Sequence, residues 1–446
     1  MTGENFRSWL ADWERRGWLT RVTKPVNPRY VLGAITKKLE KEKGFLFQKV
    51  SGCSVPLVTN FCFSRKALAT GLGMEEKDLI PSLREAMANP RRCEVVEKAP
   101  FQENVMADLN PLEVLPIPTY HERDAGPYIT GGVLIAKDPE TGTRNASIHR
   151  IQVFEDGILG LLILPRHLNL CFQKSRQLGR SLEVAVAIGV DPFTLLASQA
   201  ILPFGVDELE VANAMRPSSP LRLARCATVD IEVPADSEIV FEGTINPLET
   251  RVEGPFGEFP RYYSAEASRP VLRLRAICYR KEPFFYSILP ASREHLLLGA
   301  IPREASILTD VQRAVPSVRA VHLNYGGTCR YHLIISLAKK SEGEARVAIL
   351  AAMVNNADIK HVVVVDEDID IFDMEQVEWA IATRFQGDHD LLVVPKIQVS
   401  QLDPSSSAGI GTKLGLDATA PLGGLQDGFK PIAIPGYEDI DLKQYL

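Results

Sequence analysis

The chain has no excess of positive charge: 50 lysines and arginines face 56 aspartates and glutamates, for a net charge of −6. Such a surface offers no field to a phosphate backbone or an anionic bilayer, so neither nucleic acid nor a membrane is an expected partner. Long apolar runs are also missing. The most apolar long stretch, 184–204, contains Asp191, Pro192 and Gln199, which are costly in hydrocarbon, and no membrane span is expected. The opening Met1-Thr-Gly-Glu-Asn-Phe-Arg7 lacks the apolar core of a secretory signal, and Thr2 stands where myristoylation needs glycine. Cysteine is scarce: seven residues, an odd number, with no pair at zinc or redox spacing. They read as apolar fillers in a reducing cytoplasm. Absent too are the GxxxxGK[ST] phosphate loop, a GxGxxG after a strand, the GxSxG elbow and HExxH, which removes the commonest nucleotide, hydrolase and zinc-protease chemistries.

What is present is an ordinary globular composition, 45% hydrophobic and 24% charged over 446 residues, long enough for two or three domains. Phe6, Trp9, Leu10 and Trp13 fall at helical spacing before Gly17, predicting an amphipathic helix whose aromatic stripe faces the core. Helical and extended patterns then alternate to about residue 98, giving a small α/β lobe over 1–108. The three prolines of 109–118 read as a linker. The stretch 130–137, 147–154, 182–190, 228–233, 239–242 and 271–279 is strand-rich, predicting a β-barrel or sandwich within 109–300. A third, α plus β domain covers 301–446, with strands at 320–323, 331–337 and 361–365 and helices at 341–355 and 373–385. Ser341 with Glu344 and Asp373 with Gln376 resemble capping boxes. From 386 the chain reads as loop, with a short terminal helix over 438–446.

Four clusters carry possible chemistry. Asn145-Ala-Ser147-Ile148-His149-Arg150 lies on a strand whose alternation puts Asn145 and Arg150 on opposite faces, so a shared site demands that Asn145 lie before the strand or at a bulge. The alternative is a sheet edge with solvated charges. In Arg251-Val-Glu253-Gly-Pro-Phe-Gly-Glu258, glycines and a proline let two carboxylates fold toward one cleft. Beside an arginine, one acid stays ionised while the other, raised by burial, exchanges a proton near neutrality. Glutamates flanking a surface turn are the plain alternative. Arg166-His167 with Asp207-Glu208-Leu-Glu210 and the amide of Asn145 make a mixed oxygen and nitrogen set suited to manganese or magnesium. Gly409-Ile-Gly411-Thr-Lys413-Leu-Gly415 is either a phosphate cradle or a flexible loop.

Together these clusters resemble the UbiD family of decarboxylases, which use prenylated FMN. The likeness extends over Asp124-Ala-Gly-Pro-Tyr-Ile-Thr130, Asp138-Pro-Glu-Thr-Gly142, Asn145 to Arg150, Glu253-Gly-Pro-Phe-Gly-Glu258, Val365-Asp-Glu-Asp368, Trp379 to Arg384 and Gly411 to Thr419, in family order. It implies an α/β and β multidomain fold: an N-terminal α/β lobe, a central flavin-binding split β-barrel and a C-terminal α/β dimerisation domain. It implies Arg150, Glu253 and Glu258 as the catalytic set, with glutamate where some members have aspartate at the last position. It further implies Asn145, His167 and Glu208 as ligands of a divalent metal, Mn2+ or Mg2+, that bridges the cofactor phosphate, with K+ nearby. Glu210 is the fallback ligand, because Asn213 replaces a frequent family glycine. Asn145, Ser147, Ile148, His149, Arg150, Arg166, His167 and Lys413 are implied to hold the cofactor, Lys413 at its phosphate. Loss of CO2 from an sp² carbon leaves a high-energy electron pair, which the prenylated flavin accepts. A flavin prenyltransferase is the implied cofactor supplier, and a homodimer or higher oligomer the implied assembly.

The substrate class spans acrylic, phenolic, polycyclic and heteroaromatic carboxylates, each releasing CO2. In Ser292-Arg-Glu-His295 to Pro302-Arg303, Pro302 fits a first helical position, which predicts Arg303 in a first turn beside free amides, with His295 one loop earlier. That pattern resembles furan-2,5-dicarboxylate decarboxylases, where a histidine and an arginine hold the carboxylate that is not lost. A heteroaromatic monocarboxylate such as pyrrole-2-carboxylate, or another unsaturated acid, is the alternative substrate. A non-catalytic flavin-binding or accessory subunit is the alternative class.

Overall fold

A computed structural model describes residues 5–107, 110–216, 218–423 and 428–445. The aromatic stripe forms the helix Phe6–Arg15, opened by an Asn5 and Ser8 capping box. Phe6, Trp9 and Trp13 are buried as expected, and the Trp13 indole donates to the Phe61 carbonyl at 2.9 Å. This helix packs over a four-stranded sheet ordered Leu19–Val22, Gly44–Phe47, Leu57–Thr59 and Phe285–Tyr286. The last strand comes from far down the chain, pairs parallel with Leu57–Thr59, and sets Tyr286 5.7 Å from Phe6.

Two compact units divide the chain, Met1–Ser306 with Gln401–Pro404 and Ile307–Ser400 with Ser405–Leu446. The first unit centres on a nine-stranded antiparallel sheet. Its order is Tyr128–Ile129, Ile151–Val153, Leu159–Leu161, Ala267–Tyr279, Ile239–Glu253, Leu182–Ile188, Gly132–Lys137 and Arg144–Ile148, with Asn104–Met106 also pairing Ala267–Tyr279. Leu182–Ile188 is buried along nearly its whole length, as a central strand covered on both faces must be. The region read as a linker contains the short helix Pro111–Val114 and buries Leu115 and Ile117; Leu109 lies outside the described residues. The strand read at 228–233 is shifted, forming Arg222–Arg225 and Glu232–Pro234 in a small sheet with Glu94–Val96.

The second unit holds a five-stranded sheet ordered Val318–Leu323, His332–Leu337, His361–Asp366, Ile410–Ala418 and Leu391–Gln398. The three central strands run parallel, and the apolar run 361–365 is buried among them. The expected loop at 409–415 is instead part of the strand Ile410–Ala418. Its glycine has a packing cause: a β-carbon on Gly415 would sit 2.3 Å from Ile349 Cγ2 of the helix Glu344–Asn355. That helix begins at Gly343 and not at Ser341, whereas Asp373 caps Met374–Arg384 as expected. The terminal segment forms two single turns, Tyr437–Asp439 and Leu442–Gln444; Leu446 lies outside the described residues. Among the described residues, no helix is long and apolar enough to cross a membrane.

Candidate active site

The strand Arg144–Ile148 pairs with Gly132–Lys137 and ends at Ile148. The chain resumes as Ile151–Val153 against different partners, Tyr128–Ile129 and Leu159–Leu161. His149 and Arg150 therefore belong to neither ladder. Asn145 thus lies within a regular ladder and not before the strand or at a bulge as expected; the interruption falls at His149 and Arg150, and the side chains on its two sides no longer follow one pleat.

The side chain of Arg150 is 7% exposed, and its guanidinium is spent on two carboxylates. Nε and Nη2 fork onto Glu253 at 3.0 and 2.9 Å, and Nη1 donates to Glu258 Oε1. Glu253 ends the strand Ile239–Glu253 and is fully buried. Glu258 follows five residues later on a hairpin closed by Glu258 N–H to the Tyr262 carbonyl, 2.9 Å, and Ser264 N–H to the Phe256 carbonyl, 2.9 Å. The hairpin's Phe256 lies under Arg150, 5.0 Å from its guanidinium, and against Tyr128 at 4.4 Å. Gln152 ties the two segments together by accepting from Tyr128 Oη and Gly254 N–H, both at 3.1 Å. Burial raises the Glu258 pKa, helped by the Glu253 charge and opposed by Arg150. Burial also works against the Arg150 charge, but Glu258 and Glu253 outweigh it and keep the guanidinium protonated.

A second polar cluster surrounds Glu208, in the first turn of the helix Glu208–Ala214 capped by Asp207. Glu208 is buried; its carboxylate accepts from Asn145 Nδ2 at 2.9 Å and Ala146 N–H at 2.8 Å, and lies 3.8 Å from His167 Nδ1. Among the described residues no lysine or arginine pairs with it, and burial raises its pKa. Asn145, His167 and Glu208 thus converge, while Glu210 stands half-exposed and Asn213 is spent on the backbone of Arg91, Arg92 and Leu221. Among the described residues no three His, Cys, Asp or Glu side chains form a ligand cluster. A buried carboxylate without a cationic partner, an imidazole and an amide suit a hard divalent cation.

His149 joins the clusters. Its Nδ1 faces the Leu162 carbonyl at 3.1 Å and its Nε2 the Ser147 hydroxyl at 2.9 Å. A carbonyl only accepts, so Nδ1 carries the proton and Nε2 accepts. Burial pushes its pKa down to about 4, and the nearby Arg166 charge adds to this. The ring is neutral at working pH.

Two expectations are corrected. Pro302 does not open a helix: it lies inside the 22-residue helix Arg293–Ala314. Leu296, Leu297, Leu298, Ala300 and Ile301 are all buried, and this packing carries the helix through the proline, which removes only its own N–H and crowds one carbonyl. Arg303 is therefore in a third turn without free helix-start amides. It remains buried, with Nη1 donating to the Gly299 carbonyl at 2.9 Å, and shares one side of the helix with His295, about 80° apart. Ala291 N–H donates to His295 Nδ1 at 3.0 Å, so the neutral ring carries its proton on Nε2. Lys413 is the second correction: it is buried within the strand Ile410–Ala418, and its ammonium donates to the carbonyls of Met353 and Asn356, both at 2.8 Å. It caps a helix C-terminus, a position that does not support the phosphate contact expected of it.

Glu294 was not singled out from sequence, because nothing local marks it. It is fully buried; Oε1 accepts from Cys62 N–H at 2.8 Å and Tyr286 Oη at 2.9 Å, and burial raises its pKa to about 7. A carboxyl raised on folding adds stability below its unfolded value, lost as pH rises through the folded one. Folding stability should therefore drop by up to about 3 kcal/mol from this group between pH ~4.5 and ~7. Denaturant midpoints at pH 5 and 8 should show this drop in the native chain and not in Glu294→Gln; parallel behaviour would refute it.

An arginine forked between two buried carboxylates, and a separate cluster of a carboxylate, an imidazole and an amide, give this α/β multidomain chain the features of an enzyme. The comparisons agree. Models of 3-octaprenyl-4-hydroxybenzoate carboxy-lyase match residues 10–87 (N-terminal domain), 94–293 (Rift-related domain) and 296–418 (C-terminal domain). The chain belongs to the UbiD family of carboxy-lyases. It is similar to the UbiD-class enzyme HmfF from Pelotomaculum thermopropionicum in complex with FMN, 49% identical, covering 99% of this chain and 100% of that one, TM-score 0.96. An evolved dimeric form of HmfF in complex with prFMN is 47% identical over 99% and 100%, TM-score 0.93. The anhydromevalonate phosphate decarboxylase of Methanothermobacter thermautotrophicus is 42% identical over 378 residues, 84% of this chain and 88% of that protein.

Proposed function

We propose that this carboxy-lyase uses prenylated FMN to convert furan-2,5-dicarboxylate to 2-furoate and CO2. The observation that carries the reading is the Arg150, Glu253 and Glu258 arrangement. The cofactor, when bound, supplies an electron sink for the pair left behind by CO2. Glu258, whose pKa burial raises, would protonate in its neutral form the carbon that loses CO2. Protonation of Glu258 also weakens its pairing with Arg150 Nη1, so that N–H can turn to the substrate carboxylate while Glu253 keeps the fork in place. Asn145, His167 and Glu208 would hold Mn2+ or Mg2+, with K+ nearby, and Ser147, Ile148, His149 and Arg166 would hold the flavin; the amides of His149 and Arg150, outside both ladders, suit that task. His295 Nε2–H and Arg303 would grip the second carboxylate. The enzyme would work in the cytoplasm as a homo-oligomer, loaded by a flavin prenyltransferase.

A second reading has a specific support: the 42% identical anhydromevalonate phosphate decarboxylase suggests an acid whose second anionic group is a phosphate. Both readings need a clamp. Holoenzyme co-expressed with a flavin prenyltransferase and assayed anaerobically on furan-2,5-dicarboxylate, pyrrole-2-carboxylate and anhydromevalonate phosphate separates them. Preferred turnover of the dicarboxylate supports the proposal, and preference for the phosphate supports the second reading. Preference for the monoacid removes the clamp. Arg303→Ala should lower kcat/KM on the dicarboxylate about 100-fold and on the monoacid far less; equal losses on both would sink the assignment of Arg303.

A further inference from the structure

The segment 121–125 grips the hairpin that carries Glu258 at three points. Ala125 N–H donates to the Pro255 carbonyl at 2.9 Å. The Arg123 guanidinium lies 5.1 Å from the Tyr263 ring. The third contact is the informative one. Asp124, whose side chain is 1% exposed, accepts from Gly257 N–H through Oδ1 and from His121 N–H through Oδ2, both at 2.8 Å. Gly257 directly precedes the acid. A β-carbon there would sit 2.4 Å from His121 Nδ1, so the imidazole of His121 is packed flush against the backbone beside Glu258.

We infer that Asp124 is the positioning residue for Glu258, holding the acid at its working place through the Gly257 amide and the segment that carries His121. The inference rests on the reading of Glu258 as proton donor. The Glu258 carboxyl is held by Arg150 and by a backbone hydrogen bond from Phe259 on the same hairpin, so its aim follows the place of the hairpin backbone. Protonation weakens the pairing with Arg150, and the aim of the carboxyl then depends more on its backbone. The Glu258 N–H and carbonyl close the turn to Tyr262 and Arg261, both at 2.9 Å, so the turn is internally rigid but needs a fixed base. Asp124 supplies that base: a buried carboxylate with two amide hydrogens, each a charge-assisted bond stronger than a neutral one. A shift of about 1 Å in a catalytic group costs on the order of 100-fold in rate.

The test uses the prenylated-FMN holoenzyme. Asp124→Ala should lower kcat by about 30–100-fold with KM changed less than about twofold and the flavin spectrum unchanged. Asp124→Asn should fall between, since its amide oxygen still accepts one N–H. Exchange of the monoacid product's ring hydrogen with D2O, the reverse of carbon protonation, should slow by the same factor as kcat. Amide exchange measured by mass spectrometry should rise in peptides covering 254–264. An exposed neighbour, Glu122→Gln, should behave as the native chain. Gly257→Ala should reproduce the Asp124→Ala signature, and His121→Ala combined with Gly257→Ala should recover at least about tenfold by removing the clash; this pair decides the matter if Asp124→Ala does not fold. Native-like kcat with native-like hairpin exchange in Asp124→Ala would overturn the inference, as would a fall in kcat matched by loss of flavin. If the native holoenzyme neither turns over nor exchanges any of the acids, the proton-donor reading fails instead, and the hairpin exchange still reports on Asp124.

Discussion

Replacing Glu258 with glutamine is expected to lower kcat by about 10²–10⁴-fold, the usual contribution of a positioned general acid, while flavin binding persists. The amide keeps the shape and can accept from Arg150 Nη1, but it has no proton to give. The native enzyme's kcat should fall as pH rises through the raised Glu258 pKa, because only the neutral acid protonates carbon. The residual activity of Glu258→Gln should lack that limb. Stability should move the other way. A carboxyl raised by folding loses stabilisation as pH rises, so the glutamine variant should be as stable as the native chain at pH 5 and more stable at pH 8. Retained turnover in a flavin-loaded Glu258→Gln protein would remove Glu258 as the acid and favour an accessory, non-catalytic chain.

Arg150→Met is expected to be the most damaging single change to the fold around the site. It leaves Glu253, fully buried, and Glu258, nearly so, without their cation. Breaking such a buried pair costs about 3–5 kcal/mol, since the orphaned charge must be neutralised or hydrated. The loss should grow with pH as the carboxylates ionise, and denaturant midpoints between pH 5 and 8 would reveal it. Arg150→Lys should not rescue turnover, because a single ammonium cannot fork onto Glu253 and reach Glu258 as well. Adding Glu253→Gln to Arg150→Met should recover part of the stability and none of the activity. A pH-independent loss below 1 kcal/mol would mean that water or another cation already screens the pair.

The parts of the site that could be read from sequence share one property: their chemistry is written within a few residues. Glu253 and Glu258 flank a glycine-proline turn, and that turn does bring both onto one arginine. Asn145 and Arg150 conflict under strict alternation, which signals an irregularity, but it falls at His149 and Arg150 and not at Asn145 where alternation alone placed it. Where the reading failed, a distant partner decided. Pro302 obeys the local rule for a helix start, but the buried leucines before it outweigh one lost hydrogen bond. Gly415 reads as loop until Ile349 is known to press against it. Asp124 was visible in a segment of family likeness, yet it bears on chemistry only once Gly257, 133 positions later, folds onto it. Glu294 carried no local mark at all; its pKa is raised by burial, against hydrogen bonds from the backbone of residues 60–62 and from Tyr286 that lower it.

The N-terminal sheet has an implication for synthesis. Its fourth strand, Phe285–Tyr286, pairs with Leu57–Thr59, and Glu294 holds the amide of Cys62. At the pace of a ribosome, about 5–20 residues per second, those closing pieces emerge roughly 15–60 s after translation begins. Until then the Phe6, Trp9 and Phe61 cluster lacks the ring of Tyr286, and the Leu57–Thr59 edge stands open for pairing. The nascent chain is therefore expected to depend on a holdase during that interval, and release from the ribosome before residue 294 should yield a lobe that aggregates through the uncovered edge.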